Sequence, residues 1–534
     1  MTRKWASRLF WGVAAAGLGG CHTPTPAIDA TLQQIAAPID AGFSTLPAAA
    51  QVPAKPKTDA TPEPLPPPTP GAKAGPQIDV PPELPGAEAE VIPPTRTKEE
   101  RAALVKKLYS KPLPLLAPDV PRQPGPDGRP LTLADLQALA AANSPTLNQA
   151  AADVEAARGN LIQAGLLPNP TVGFEADTVG SGHTAGQQGG YIDQTIKTGG
   201  KIRLGQASAA IDLANAQVAL RRAQVDLTAK VRGGYFAVVI AQEIMTVARA
   251  LVKLTDETYR LHLARVEKAN LDAPYEPMAL RVLAVQARMT LVQAHNRYVS
   301  AWNQLAAALN APDMPPTELA GRPDMPLPKF QYEAAVAQIR AGGHTELMTA
   351  QNAILRAQYQ LRLAQVTPIP DVLTHFALQR DYTAPPFGTT VNVQIGVPLA
   401  VFDRNQGNIL QAQAQLGRAI EEVPRVRNDL AQRLAEAFER YNNALALVQA
   451  SRADILPDQV RTYRGVINSY QVVPDKIGVA DIVNAQQTLS TAIQNYLTAL
   501  TQAWQAATDI ANLMQLDDLF GAGCEMVLPI PKLD

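Results

Sequence analysis

Leu161-Ile162-Gln163-Ala164-Gly165-Leu166-Leu167-Pro168-Asn169-Pro170-Thr171-Val172 returns at 361–372 as Leu361-Arg362-Leu363-Ala364-Gln365-Val366-Thr367-Pro368-Ile369-Pro370-Asp371-Val372. The paired prolines recur, and the correspondence runs on in both directions. Gln206-Ala207 reappears as Gln411-Ala412, Tyr235 as Tyr441, Gln286 as Gln487 and Trp302 as Trp504. A self-similarity that drifts by only a few residues over such a length marks an internal duplication.

Each copy reads helix, strand, strand, very long helix, helix. In the first copy a helix is expected over 133–167, stopping before Pro168 because proline removes a backbone donor and restricts the residue ahead of it. Strands follow at 172–178 and 191–196 around a glycine-rich loop, 180–190, and then a helix over 201–270. In the second copy strands are expected at 372–379 and 391–399. A helix then runs over 408–470, with Pro424 and Pro457 as kinks. Seventy helical residues at ~1.5 Å each make a rod of roughly 105 Å, much longer than a globular domain is wide. The strands suit a tilted crossing of a bilayer.

Side-chain pattern agrees with both readings. In Val391-Asn392-Val393-Gln394-Ile395-Gly396-Val397 every odd position is apolar and every even one polar or glycine. A strand with one lipid face and one wet face has that alternation, although a half-buried strand of a soluble sheet has it too. In the long helix Ile211, Val218 and Val225 form one line and Leu213, Leu220 and Leu227 another, on nearly opposite sides. Such a helix belongs in a ring, with a neighbour on each side and water on its other faces.

Composition narrows the field. Of 534 residues 46 % are hydrophobic, 18 % charged and 5 % aromatic, with a net charge of −1. No basic excess points to nucleic acid. Cys21 and Cys524 are the only cysteines, and His22, His183, His262, His295, His344 and His375 are scattered singly. Neither residue type offers a metal-site spacing, so no metal or other cofactor is expected. Gly200-Lys201 lacks the remainder of a phosphate-binding loop, and no nucleophile–base or paired-carboxylate arrangement is evident, so no enzyme activity is expected.

At the N-terminus Arg3, Lys4 and Arg8 precede a short apolar run, 9–17, and Leu18-Gly19-Gly20-Cys21 closes it. The run is too short to span a bilayer and resembles a bacterial lipoprotein signal, in which cleavage leaves an acylated Cys21. His22 after that cysteine is compatible with outer-membrane sorting. The expected organisation is a signal peptide over 1–20, a proline-rich tether over 21–130, a first repeat over 131–320, a second over 321–520 and a tail over 521–534. Within the tether a small amphipathic island, 98–109, is expected to fold against the body, the rest staying extended and disordered for want of apolar surface.

From 131 to 520 the chain resembles the TolC-like outer-membrane factors. The resemblance rests on the tandem repeat, on Leu167-Pro168-Asn169-Pro170 ahead of the first strand, and on Thr198-Gly199-Gly200-Lys201 leading into the long helix. It rests above all on Val397-Pro398-Leu399-Ala400-Val401-Phe402-Asp403-Arg404-Asn405-Gln406-Gly407-Asn408-Ile409, which is similar to the strand-to-helix junction of the cation-efflux (CzcC-like) branch. In that string Pro398, Phe402, Asp403, Arg404, Asn405 and Gly407 are the motif positions, and asparagine and glycine suit a tight turn before a helix. The resemblance implies a mainly α fold with a small β part. It implies a homotrimer whose long antiparallel helices form a periplasmic α-barrel, with four strands per subunit in a twelve-stranded outer-membrane β-barrel. It also implies an exit duct that works passively with a periplasmic adaptor (membrane fusion) protein and an inner-membrane pump of RND or ABC type, in efflux or type I secretion.

The tips of the two hairpins are the candidate gate or adaptor contacts: Asp272 and Glu276 in the first, Asp475, Gly478 and Asp481 in the second. Gly478 suits the turn, and Asp481 reads either as a helix cap or as one member of a cation-attracting ring. The competing reading of the whole chain is a coiled-coil envelope lipoprotein without channel activity, which accounts for the helices and the anchor but leaves the paired strands unexplained.

Overall fold

Helix boundaries in this chain follow its capping residues and prolines. The computed structural model describes residues 81–90, 92, 97–269, 275–341, 343–472 and 478–519. Thr97 and Glu100 cap each other's backbone at the start of α1 (Lys98–Leu108), and Thr132 and Asp135 do the same for α2 (Leu133–Asn143). Ser144 then accepts from the Leu147 N–H and Pro145 occupies the first turn of α3 (Pro145–Ala164). The single helix expected over 133–167 is therefore two, because a serine cap followed by proline starts a helix as readily as it ends one.

The first repeat continues with β1 (Thr171–Asp177), β2 (Gln187–Ile196), α4 (Lys201–Ala269) and α5 (Glu276–Ala308). The second has α6 (Tyr332–Arg340), α7 (Thr345–Val366), β3 (Val372–Asp381), β4 (Thr389–Gly396) and α8 (Gln406–Ala450). A π-helical turn, Ser451–Ile455, leads into α9 (Leu456–Val472), and α10 (Val479–Leu513) closes the described chain. The π turn lies immediately ahead of Pro457, whose missing N–H leaves a carbonyl to be re-satisfied. Pro424 sits inside α8, which stays continuous around it. At 69 residues α4 is roughly 104 Å long.

The four strands form one antiparallel sheet in the order β1-β2-β3-β4. Beside the sheet the helices repeat that order: α3 packs on α4, α4 on α7 and α7 on α8. Farther away α4 packs on α5 and α10, and α10 on α8 and α9. The two apolar lines of α4 thus find a helix on each side, with Val218 buried and the others partly so. One stretch of α4 is long and apolar enough to cross a membrane by composition, yet half of it is buried inside the protein.

The repeat-related aromatics meet the inter-repeat linker in the largest cluster of buried residues described. Trp302 and Trp504 are fully buried, donating to the Met314 and Pro323 carbonyls at 2.9 and 3.2 Å. Phe236 stacks on Trp504 with ring centres 4.0 Å apart. The hydroxyls of Tyr235 and Tyr441 donate to the Ala320 and Pro328 carbonyls. Gly321, at φ +125°, lies where a Cβ would strike the Tyr235 hydroxyl. The duplicated residues thus pin both halves to one connecting segment.

Residues 97–131, expected as the end of a tether apart from the 98–109 island, are bound along the helical body. Val105 is buried, Tyr109 lies against Tyr259, and Arg281 donates to the Leu108 and Lys111 carbonyls at 3.4 and 3.0 Å. Arg288, paired with Asp256 at 2.6 Å, also donates to the Pro114 carbonyl, and Arg249 pairs with Asp119. Gln123 and Leu131 then form parallel bridges with Thr317 and Leu319. Proline content predicted an extended, disordered backbone beyond the island; residues 110–125 carry no helix, but they are held in place rather than disordered. Their carbonyls are held by arginines of α5 rather than by water.

Candidate channel wall, junctions and hairpin tips

The strand register divides the sheet into two chemically different faces. Val172 pairs with Ile192, Ile192 with Phe376 and Phe376 with Val393, so one row of four apolar side chains crosses the sheet. The next row on that face is Phe174, Gly190, Leu378 and Val391. These side chains have no cover: Val172 is 73 % exposed, Phe174 69 % and Val393 61 %. Water alone would make such a face costly, since exposed apolar patches of this extent mark a partner or a membrane.

The opposite face is polar and internally bonded. Thr171, Asp193, His375 and Gln394 form one row there and Glu175, Gly189, Gln379 and Thr390 another. His375 Nδ1 lies 2.6 Å from Asp193 Oδ1, and its Nε2 lies 3.3 Å from Glu175 Oε2. Gln379 Nε2 donates to Glu175 at 2.6 Å and to Asp177 at 2.9 Å. The alternation expected in 391–397 is that of a real strand. Its ladder ends at Gly396 rather than at 399, because Pro398 has no N–H to continue it.

Two junctions join this sheet to the helices. From β2 to α4 the link is 197–200, with Gly199 and Gly200 at φ +67° and +71°. Asp371, at the base of β3, accepts from Lys197 and Lys201, both at 2.8 Å, and from the Thr198 N–H at 3.1 Å. Those bonds, led by Lys197, hold its carboxyl well below the usual carboxylate range. From β4 to α8 the link is longer, 397–405. Asn405 sits at φ +60°, its side chain donating to the Ala364 carbonyl at 2.7 Å and its N–H to Asp403 at 2.8 Å. The Arg404 N–H donates to Gln406 Oε1 at 2.9 Å. Asn405 therefore makes the turn, while Gly407 lies within α8 with open space around it. Pro398 breaks the ladder, and Phe402 is exposed.

Of the tip residues, Asp272 and Asp475 lie outside the described residues, as does Cys21. Glu276 opens α5, its carboxylate 3.6 Å from Nε2 of buried His262. His262 Nδ1 lies 2.7 Å from the Tyr470 hydroxyl, so this contact ties the α4–α5 hairpin to α9. Gly478 precedes α10 at φ −84°, a conformation open to any residue. Asp481 is the third residue of that helix rather than its cap, accepting from the Gly478 N–H at 3.0 Å. Sequence reading missed His262, Tyr470 and Asp371, because each gains its role from a residue of the other repeat. Among the described residues no group of three or more His, Cys, Asp or Glu is placed to hold a metal ion.

A family model described as outer membrane efflux protein matches residues 136–311. The cobalt-zinc-cadmium resistance protein CzcC of Cupriavidus metallidurans is 28 % identical over 403 residues, covering 74 % of this chain and 92 % of that protein. These matches and the fold are those of outer-membrane efflux channels. Among solved structures, a membrane protein from Pseudomonas aeruginosa superposes on this efflux protein with a TM-score of 0.62 at 17 % identity, covering 72 % of this chain and 90 % of that one. The outer membrane protein VceC of Vibrio cholerae does so with a TM-score of 0.58 at 16 % identity, covering 72 % and 96 %.

The efflux protein is an outer-membrane channel reaching into the periplasm. Its rows Val172–Val393 and Phe174–Val391 have the apolar chemistry of a lipid face, and the Asp193–His375–Glu175 face has the polar chemistry of a lumen wall. Sheet edges cannot be left open in hydrocarbon, where unpaired N–H and C=O groups find no water. Thr171–Asp177 and Thr389–Gly396 are both edges in the single chain.

Proposed function

We propose that three copies close one barrel and that the assembly is the exit duct of a tripartite system expelling divalent metal cations. The unpaired β1 and β4 edges carry this reading. Two copies would give eight strands, a barrel whose interior is filled by side chains, so at least three are needed for a lumen. The helix layer supports the same closure, because α3 and α8 are its outermost members beside the sheet and expose Ile162 and Leu410.

In this reading Cys21 carries lipid in the outer membrane. The hairpin tips at Asp272, Glu276, Asp475, Gly478 and Asp481 form the gate, which opens on contact with a periplasmic adaptor and an inner-membrane pump of RND or ABC type. The cargo follows from the likeness to a cobalt-zinc-cadmium resistance protein over nearly its whole length. Glu175, Asp177 and Asp193 on the lumen face give a wall that does not repel cations. Cells lacking the chain should become sensitive to zinc, cobalt or cadmium and recover with the wild-type gene. Sensitivity to organic drugs alone would overturn the cargo.

A further inference from the structure

The two repeats enter their long helices differently. In the first the link 197–200 is short, and in the second 397–405 inserts Pro398, Leu399, Ala400, Val401 and Phe402. Both links end in a left-handed residue, Gly200 or Asn405, so the extra residues are not needed to start the helix. They form an elbow whose apolar side chains stand clear of the subunit: Leu399 is 76 % exposed, Val401 57 % and Phe402 93 %. Its base, in contrast, is fixed. Asp403 accepts the Asn405 N–H, Asn405 reaches the Ala364 carbonyl of α7, and Asn408 donates to Asn405 at 2.5 Å. A rigid base that presents uncovered apolar groups is a surface made to be covered.

We propose that this elbow seats in the periplasm-facing leaflet of the outer membrane and sets the depth of the barrel. The proposal rests on the lipid assignment of the β4 face and extends it below the sheet. Val391, Val393 and Ile395 point to lipid, and Val397, Leu399 and Val401 carry the same odd positions onward past the end of the strand. The strand has 8 residues. At ~3.3 Å per residue and a tilt near 40° it rises roughly 20 Å, short of the ~25 Å apolar band of such barrels. The elbow occupies the missing few ångströms at the helix end of the sheet. Phe402 followed by Arg404 matches the chemistry of that level, an aromatic ring beside a cation that can reach lipid headgroups. The competing cover is a neighbouring copy, since β4 is an edge strand and Leu166 and Leu167 are exposed near the opposite edge.

The test is tryptophan quenching in vesicles of lipids brominated at shallow or deep acyl positions. Phe402→Trp and Val393→Trp are compared with the unsubstituted protein, which supplies the background of the native tryptophans, buried Trp302 and Trp504 among them. Phe402→Trp should lose about half of its added emission to shallow bromines and less to deep ones, with Val393→Trp showing the reverse order. Quenching of Phe402→Trp by aqueous iodide but not by lipid bromine would overturn the elbow. So would quenching by neither, which would assign the cover to a neighbouring copy. In both cases a quenched Val393→Trp keeps the barrel intact, whereas loss of lipid quenching at both positions overturns barrel and elbow together.

Discussion

Val393 and Gln394 are adjacent on β4 and face opposite ways, so the same substitution at each isolates the environment of the two faces. Val393 lies in the apolar row with Val172, Ile192 and Phe376, near the middle of the strand. Gln394 lies in the row with His375 and Asp193. A lysine on the lipid face at mid-depth costs about 2–4 kcal/mol per chain, whereas a lumen position tolerates it. Three copies in one barrel raise the cost of Val393→Lys to about 6–12 kcal/mol per assembly. Gln394→Lys, opposite His375 on the polar face, should stay within about 1 kcal/mol of wild type. Were the sheet in water, both would be exposed surface changes within about 0.5 kcal/mol. Urea unfolding of protein reconstituted in vesicles, followed by circular dichroism, reads the difference. Equal midpoints for the two variants would refute the lipid assignment of the Val393 row.

Three further outcomes are expected. Asp371 is held below its ordinary value of 3.8, so its stabilisation is complete above that pH and is lost only as pH falls below it. Asp371→Asn should therefore lower the thermal midpoint equally at pH 7 and pH 5, and a gap already closed at pH 5 would show the lysine contacts to be unimportant. Asp481→Asn retains an oxygen for the Gly478 N–H but removes the charge, so cation-over-anion selectivity should fall, with the difference shrinking at high salt. Unchanged selectivity would leave Asp481 only its place in the helix terminus. Cys21→Ser should abolish incorporation of labelled palmitate, and unchanged labelling would remove the lipid anchor.

Much of this fold was legible because its signals are local and duplicated. Pro168 with Pro170, and Pro368 with Pro370, punctuate the chain just before β1 and β3, and the apolar lines of α4 announce a helix with neighbours on two sides. Less legible were features set by contacts distant in sequence. The break at Ser144-Pro145 carried a readable cap signal, but helical periodicity on both sides masked it. The docking of 97–131 was hidden because its partners, Arg249, Arg281 and Arg288, look like ordinary surface cations until the fold sets Asp119 before the first and backbone carbonyls before the other two. His262 looked like an isolated histidine for the same reason, since Tyr470 and Glu276 reach it from other helices. The polar and apolar faces of β4 could be separated by parity, yet only the register of the whole sheet shows that four strands share each face.

The central claim is that this chain forms a conducting pore rather than a brace across the envelope. Purified protein added to a planar lipid bilayer should give discrete conductance steps, and Val393→Lys, which disfavours insertion, should reduce their frequency. Wild-type protein that inserts and trimerises, yet leaves the bilayer silent even with its adaptor present, would contradict the account.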